Sequence, residues 1–205
     1  MARYTGPKCK LCEKYEERLY LKGDRCYSDK CPMSKTSARK SFRKQKSEYA
    51  KHLSEKQKLR ILFGIGERQM KKIFKTVSRK KGLKGQNFLK ALCMRMDNVV
   101  YRLGFASSLQ QARQLVGHGF VLANGRVCDI SSRELKIGEA VALSESGKKL
   151  EAVKKSLEHT DVRVIPEWLK MEKEKFAGEI ARELNSEDLE QLGVDQRLIV
   201  EFYSR

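Results

Sequence analysis

The sequence predicts an α+β fold: a mainly helical, discontinuous domain, a small inserted module of two helices plus a small twisted antiparallel sheet, and an N-terminal four-cysteine metal module. Three observations carry this. Apolar residues recur at helical spacing up to Val116 and then give way to two short strands around Asn124-Gly125. The chain ends in Leu198-Ile-Val-Glu-Phe-Tyr203, an apolar stretch that needs a helical partner earlier in the sequence. Four of the six cysteines fall within the first 31 residues. The expected boundaries are 1–45 for the metal module and a basic segment, and 46–92 for the helical domain, completed by 176–205. The inserted module takes 93–160 and a connector takes 161–175.

In chain order, Cys9 and Cys12 are separated by two residues, thirteen more precede Cys26, and four separate Cys26 from Cys31. Disulfides are rare in reducing compartments, so paired hooks of this kind point to a metal. Four thiolates around one divalent ion complete a tetrahedron, which makes the site structural rather than catalytic. Zinc, one per chain, is the expectation, and the same spacing also suits an iron–sulfur cluster. Lys8, Lys10, Arg25 and Lys30 stand near enough in sequence to offset the thiolate charge. Cys93 and Cys128 sit alone in apolar patterns and read as buried thiols. Next comes Lys35-Thr-Ser-Ala-Arg39-Lys40-Ser-Phe-Arg43-Lys44-Gln-Lys46, with six basic residues in twelve positions and no acid.

Ser54-Glu-Lys-Gln57 has the pattern of a capping box, opening a helix with Leu59, Leu62 and Phe63 on one side. Gly64-Ile-Gly66 ends it. That turn lacks the third glycine and the preceding strand of a nucleotide-binding loop. Glu67–Val77 is a second helix with Met70, Ile73, Phe74 and Val77 as its apolar stripe. Gly82-Leu-Lys-Gly85 matches the GxxG of a KH domain in form only, because the flanking strands are missing. From Asn87 to Leu103 one long helical pattern carries Phe88, Leu92, Val99, Val100 and Leu103 inward, and Gly104 stops it. Ser107 or Ser108 caps the next helix, with Ala112, Leu115 and Val116 on one face and Arg113 on the other. Asn124-Gly125 between two short runs is a strong hairpin signal, and Ala140–Leu143 is a further strand. Val162 to Trp168 reads as extended, with a turn at Pro166, and the tail from Glu172 has moderate helical character.

The formal net charge is +18. Residues 1–90 hold 27 Lys and Arg against 8 Asp and Glu, whereas residues 91–205 hold 17 against 18. Such asymmetry points to a polyanionic partner for the first half, nucleic acid foremost. No apolar run is long enough to span a bilayer, and the first residues lack the apolar region of a secretory signal. No enzyme is expected. A pseudouridine synthase, the enzyme class closest in pattern, needs a large catalytic domain, and only 62 residues follow Leu143.

Several runs resemble the bacterial-type small-subunit ribosomal protein four family, in its four-cysteine variant. They are Arg3-Tyr4-Thr-Gly6-Pro7, Leu21-Lys22-Gly23-Asp24-Arg25-Cys26, Glu55-Lys56-Gln57-Lys58 and Glu67-Arg68-Gln69. The most specific is Arg95-Met-Asp97-Asn98-Val99-Val100-Tyr101-Arg102-Leu103-Gly104-Phe105-Ala106, followed by Ala112-Arg113-Gln114-Leu115-Val116 and His118-Gly119. Pro166, Trp168-Leu169 and the run from Leu198 to Ser204 complete the likeness, which covers nearly the whole chain. It departs at residues 34–40, where family members show Pro-Gly-Gln-His-Gly, at Phe120, where a histidine is common, and at Ser131, where a proline is common.

The resemblance implies a primary ribosomal-RNA binder that nucleates small-subunit assembly, cytoplasmic and housed in the ribosome. It also implies zinc at the four cysteines, contact with ribosomal protein five of the small subunit, and a basic patch near Arg43, Lys44 and Lys46 where messenger RNA enters. The alternative is a free-standing RNA chaperone or translational repressor using the same RNA-binding module. Candidate RNA contacts are Arg3, Lys8, Lys22, Arg39, Lys40, Arg43, Lys44, Lys46, Arg95, Arg102, Arg113, Gln114 and His118. Arg95 and Arg102, seven apart on one expected helix, would share a face, with Asp97 as the competing partner for either. His118 reads equally as an RNA contact or a turn residue.

Overall fold

The computed structural model describes residues 4–34, 47–158 and 165–204. The expectations for Arg3, Arg39, Lys40, Arg43, Lys44 and Lys46 lie outside these residues. In chain order the helices are α1 (Lys8–Tyr15), α2 (Glu48–Leu62), α3 (Glu67–Val77), α4 (Lys84–Cys93), α5 (Met96–Arg102), α6 (Leu109–Gly117), α7 (Glu145–Lys148), α8 (Glu151–Glu158), α9 (Ser186–Glu190) and α10 (Gln196–Ser204). The strands are β1 (Val121–Ala123), β2 (Arg126–Val127), β3 (Ala140–Leu143), β4 (Leu169–Glu172) and β5 (Ala177–Ile180). None of the described helices is long and apolar enough to cross a membrane. The chain forms two units, Met1–Leu89 with Glu190–Arg205, and Lys90–Leu189.

In the first unit, α2 begins at Ser47, whose Oγ accepts the Ala50 N–H at 3.3 Å. The expected start at Ser54 is therefore corrected: Ser54 lies inside the helix. The first turns of α2 are polar and carry no apolar periodicity for a sequence reading to find. Gly64, at φ 54°, ends the helix where expected. α3 buries Met70, Phe74 and Val77. Phe74 meets Phe88 edge-on at 5.3 Å and stacks on Tyr203 of α10 at 4.7 Å. Burial of the Tyr203 hydroxyl, with the Glu67 carboxylate beside it, pushes its pKa far above the usual tyrosine range.

α2 also buries three basic side chains, His52, Lys56 and Lys58. Lysine is seldom buried unless its charge is met, and each of these finds a partner. Lys56 Nζ lies 2.9 Å from Glu67 Oε2 and 4.5 Å from the centre of the Phe202 ring. Lys58 pairs with Glu17 and donates to the Gly193 carbonyl. His52 Nε2 is 2.6 Å from Glu201 Oε2.

The second unit holds one antiparallel sheet in the order β2-β1-β3-β5-β4. The Asn124-Gly125 hairpin forms as expected: both residues have positive φ, 50° and 78°, and β1 pairs with β2 across them. The helical character expected from Glu172 onward is found at α9 and α10, but the stretch expected as connector (161–175) and start of the tail holds β4 and β5. β4 and β5 form a second hairpin, and β5 adds to the edge of β3 with Val141 opposite Gly178. The sheet thereby places residues 169–189 in the second unit rather than in the helical domain. Gly178 is what permits the close approach. A Cβ there would sit 2.5 Å from Leu103 Cδ2 and 2.9 Å from the Lys170 carbonyl. Trp168, just before this hairpin, is only 1% exposed, and Val99, Leu103, Phe105, Val141 and Ile180 of the same unit are likewise buried.

The single helix expected over Asn87–Leu103 is broken. Arg95 is extended (φ −68°, ψ 141°) and forms an isolated bridge with Glu134. The Leu135 N–H donates to the Met94 carbonyl and the Met96 N–H to the Arg133 carbonyl, both at 2.8 Å. Residues 94–96 thus exchange backbone hydrogen bonds with residues 133–135, far along the chain. That pairing is invisible to local periodicity.

Candidate nucleic-acid interface

α6 opens on Ser108, whose Oγ accepts the Gln111 N–H, while the Gln111 side chain reaches back to the Ser107 N–H at 2.7 Å. The helix buries Ala112, Leu115 and Val116 and exposes Gln114 and His118, four residues apart on one face. The His118 ring lies 6.1 Å from that of Phe120. Arg102, half-buried, directs Nε toward Asn98 Oδ1 at 3.4 Å.

Arg95 and Arg113 take a different position from the one expected. Arg95 is only 4% exposed and grips Asp97 with two bonds, Nε to Oδ1 at 3.1 Å and Nη2 to Oδ2 at 2.8 Å. Arg113 Nε donates to the same Asp97 Oδ2 at 2.6 Å. Asp97 itself is 1% exposed, and its N–H donates to the Ser131 carbonyl. The expectation that Arg95 and Arg102 share an outward helix face is corrected, because Arg95 is not on the helix and its charge is met inside the unit. Of the two outcomes left open for Arg95, pairing with Asp97 is the one adopted.

In the first unit the four cysteines line one small pocket together with Lys8, Leu21, Lys22, Pro32 and Met33. Cys9 and Cys12 lie on the opening turns of α1 rather than on a loop, and Cys26 closes a 3-10 turn, Gly23–Cys26. The Lys22 N–H donates to Cys26 Sγ at 3.3 Å, and the Leu19 N–H to the sulfur of Cys12. Burial pushes both of these thiols up from the ordinary cysteine value. All six cysteines are free of disulfides. Among the described residues no set of three or more Cys, His, Asp or Glu side chains stands in a metal-holding arrangement. Lys22 is exposed, whereas Lys8 is half-buried and its Nζ donates to the Leu21 carbonyl at 3.3 Å. Burial, then the neighbouring Lys22, lowers the Lys8 pKa.

Residues 3–93 match a family described as ribosomal protein S4/S9 N-terminal domain, and residues 94–141 match the S4 domain. The two matches meet where α4 ends. Over 210 aligned residues the chain is 45% identical to small ribosomal subunit protein uS4 of Thermus thermophilus, covering all of both chains. It is 44% identical to the uS4 of a Geobacter species, again over both full lengths. The chain belongs to the uS4 family. Within this uS4-family chain, the S4-domain match spans the Asp97 cluster, the α6 face and the Asn124-Gly125 hairpin.

Sequence reasoning used α3 only for its apolar stripe and passed over its other side. That side presents Arg68, Lys71, Lys72 and Lys75, all exposed. The signal was available: an amphipathic helix with a buried apolar stripe must turn whatever else it carries outward.

Proposed function

We propose that this chain serves as a structural constituent of the small ribosomal subunit, binding its ribosomal RNA, and that it is not an enzyme. The observation that carries the reading is full-length identity of 45% to proteins named uS4, with both family matches in order along the chain. Its place is the ribosome, in the cytoplasm. Contacts would fall mostly on phosphates and 2′-hydroxyls, with shape read in preference to base sequence. Of the expected contacts among the described residues, the exposed Gln114 and His118 and the half-buried Arg102 are available to touch RNA in the second unit, and the exposed Lys22 and half-buried Lys8 in the first. Arg95 and Arg113 act by holding Asp97, and through it the junction of α5 and α6. The test is sedimentation of the native protein: it is expected to travel with small subunits through a gradient. A protein that stays at the top, free of subunits, would favour the free-standing chaperone or repressor instead.

The finer reading extends to a role as a primary binder that nucleates assembly, with contact to ribosomal protein five and to messenger RNA where it enters. Its support is the family likeness and the basic run holding Arg43, Lys44 and Lys46. The cofactor reading is zinc, held by Cys9, Cys12, Cys26 and Cys31. Four sulfurs on one pocket, two of them receiving backbone N–H groups, fit a structural thiolate site in their chemistry. When bound, the ion supplies a crosslink among segments that share little apolar core. Elemental analysis of the native protein is expected to give about one zinc per chain, and chelation to loosen the segment before residue 35. Iron with sulfide in place of zinc would convert the site to a cluster, and a metal-free protein with this segment ordered would end the proposal.

A further inference from the structure

We propose that the outward face of α3 is a docking strip for the phosphodiester backbone of RNA, read by charge and not by base. The inference rests on the RNA-binding reading above and adds a separate surface on the helical unit. From Arg68 to Lys84 the sequence carries eight Lys and Arg and no Asp or Glu. α3 buries Met70, Phe74 and Val77, which turns Arg68, Lys71, Lys72 and Lys75 outward, and Arg79 continues the row just past the helix end. All five are exposed, and among the described residues none of them is ion-paired with a carboxylate. The contrast lies within the same unit, where Lys56 and Lys58 of α2 are buried on Glu67 and Glu17. Glu67, the one acid on α3, is already taken by Lys56 and Arg60.

Like charges three and four positions apart weaken a helix slightly for every pair. The row therefore costs stability and returns none inside the molecule, as expected of a surface shaped for a polyanion. A membrane does not fit, because the apolar stripe of α3 is committed to the core and nothing is left to enter a bilayer. A linear polyanion does fit. Arg68 to Lys75 spans about 10 Å at the rise of an α-helix, with side chains at each turn. The one aromatic residue between positions 67 and 84, Phe74, is buried, so no base can stack there. Without stacking or base-edge contacts, such a surface positions RNA and leaves its sequence unread.

The test replaces Arg68, Lys71, Lys72 and Lys75 together by Gln, a good helix former that leaves the apolar stripe intact. Binding is measured against salt on a duplex RNA of arbitrary sequence and on a scrambled duplex of equal length. The slope of log affinity against log salt is expected to become shallower by about three, since each lost phosphate contact removes roughly 0.7–0.9. The loss is expected to be equal on both duplexes, the melting temperature unchanged, and the slope restored when the same positions carry Arg. An unchanged slope in a normally folded variant overturns the inference and leaves the RNA-binding reading standing. A loss confined to one duplex sequence overturns it too, as does a loss seen only on anionic phosphatidylserine vesicles. Wild-type protein that binds neither duplex at low salt would overturn both readings together.

Discussion

Truncation after Asp195 is expected to abolish the cooperative unfolding transition of the helical unit while leaving that of the second unit in place. α10 supplies Ile199, 1% exposed, and the rings of Phe202 and Tyr203, which pack against Tyr49, Phe74 and Phe88. Full burial of one such side chain is worth about 1.5–3 kcal/mol. With Ile199 fully buried and the two rings partly so, the loss is on the order of 5 kcal/mol from apolar area alone. Domain stabilities of about 5–15 kcal/mol leave little margin against that. The truncation also strips His52 of Glu201, uncovers Lys56 on its Phe202 side and removes the Tyr203 partner of Glu67. Thermal melting followed by circular dichroism checks the result. A truncated chain with two intact transitions would show that α10 is an ornament on a core complete without it.

Asp97→Ala is expected to be the most damaging single substitution in the second unit. It leaves the Arg95 guanidinium, 4% exposed, with no carboxylate, and takes from Arg113 the partner of its Nε. Removing one member of a buried ion cluster typically costs about 3–5 kcal/mol, because the charge left behind has lost its water and its partner. In a unit of this size that corresponds to a drop in melting temperature of at least roughly 12 °C. Arg113→Gln is expected to cost less, since Arg95 still satisfies the carboxylate. Combined replacement of Arg95, Arg102 and Arg113 by Gln, read from sequence alone, should barely move the melting temperature if these side chains face solvent. The geometry reverses that expectation for Arg95 and Arg113, which are structural partners before they are anything else. Calorimetry on the three variants orders them, and an Asp97→Ala protein as stable as the parent would remove Asp97 as the organiser of the α5–α6 junction.

Local chemistry made a good part of this molecule legible. Glu67–Val77 was readable to the residue because a glycine precedes it and its apolar stripe is strict. Asn124-Gly125 was readable because few residues other than Asn and Gly accept two successive positive φ angles, and the turn then fixes the hairpin register. Ser108 could be narrowed only to a choice of two, since either serine can cap from sequence alone. The grouping of Cys9, Cys12, Cys26 and Cys31 on one pocket was likewise visible in their spacing.

Where partners came from far along the chain, sequence reading failed in identifiable ways. Arg95 was placed on a helix because its neighbours have helical spacing. The backbone instead follows residues 133–135, whose hydrogen bonds pull it into an extended conformation. Residues 169–180 were taken for connector and tail because four-residue strands carry too little pattern to register. Their order exists only because β3 offers an edge and Gly178 lets the backbone close over Leu103. The chain by itself determined the α+β class, the helices with strict stripes, the Asn-Gly hairpin, the basic bias of the first half and the family. Tertiary structure alone decided which charges turn inward. Burial is set by what packs on top, so identical guanidinium and ammonium groups end as an Asp97 clamp, a buried Lys56, or an exposed row on α3.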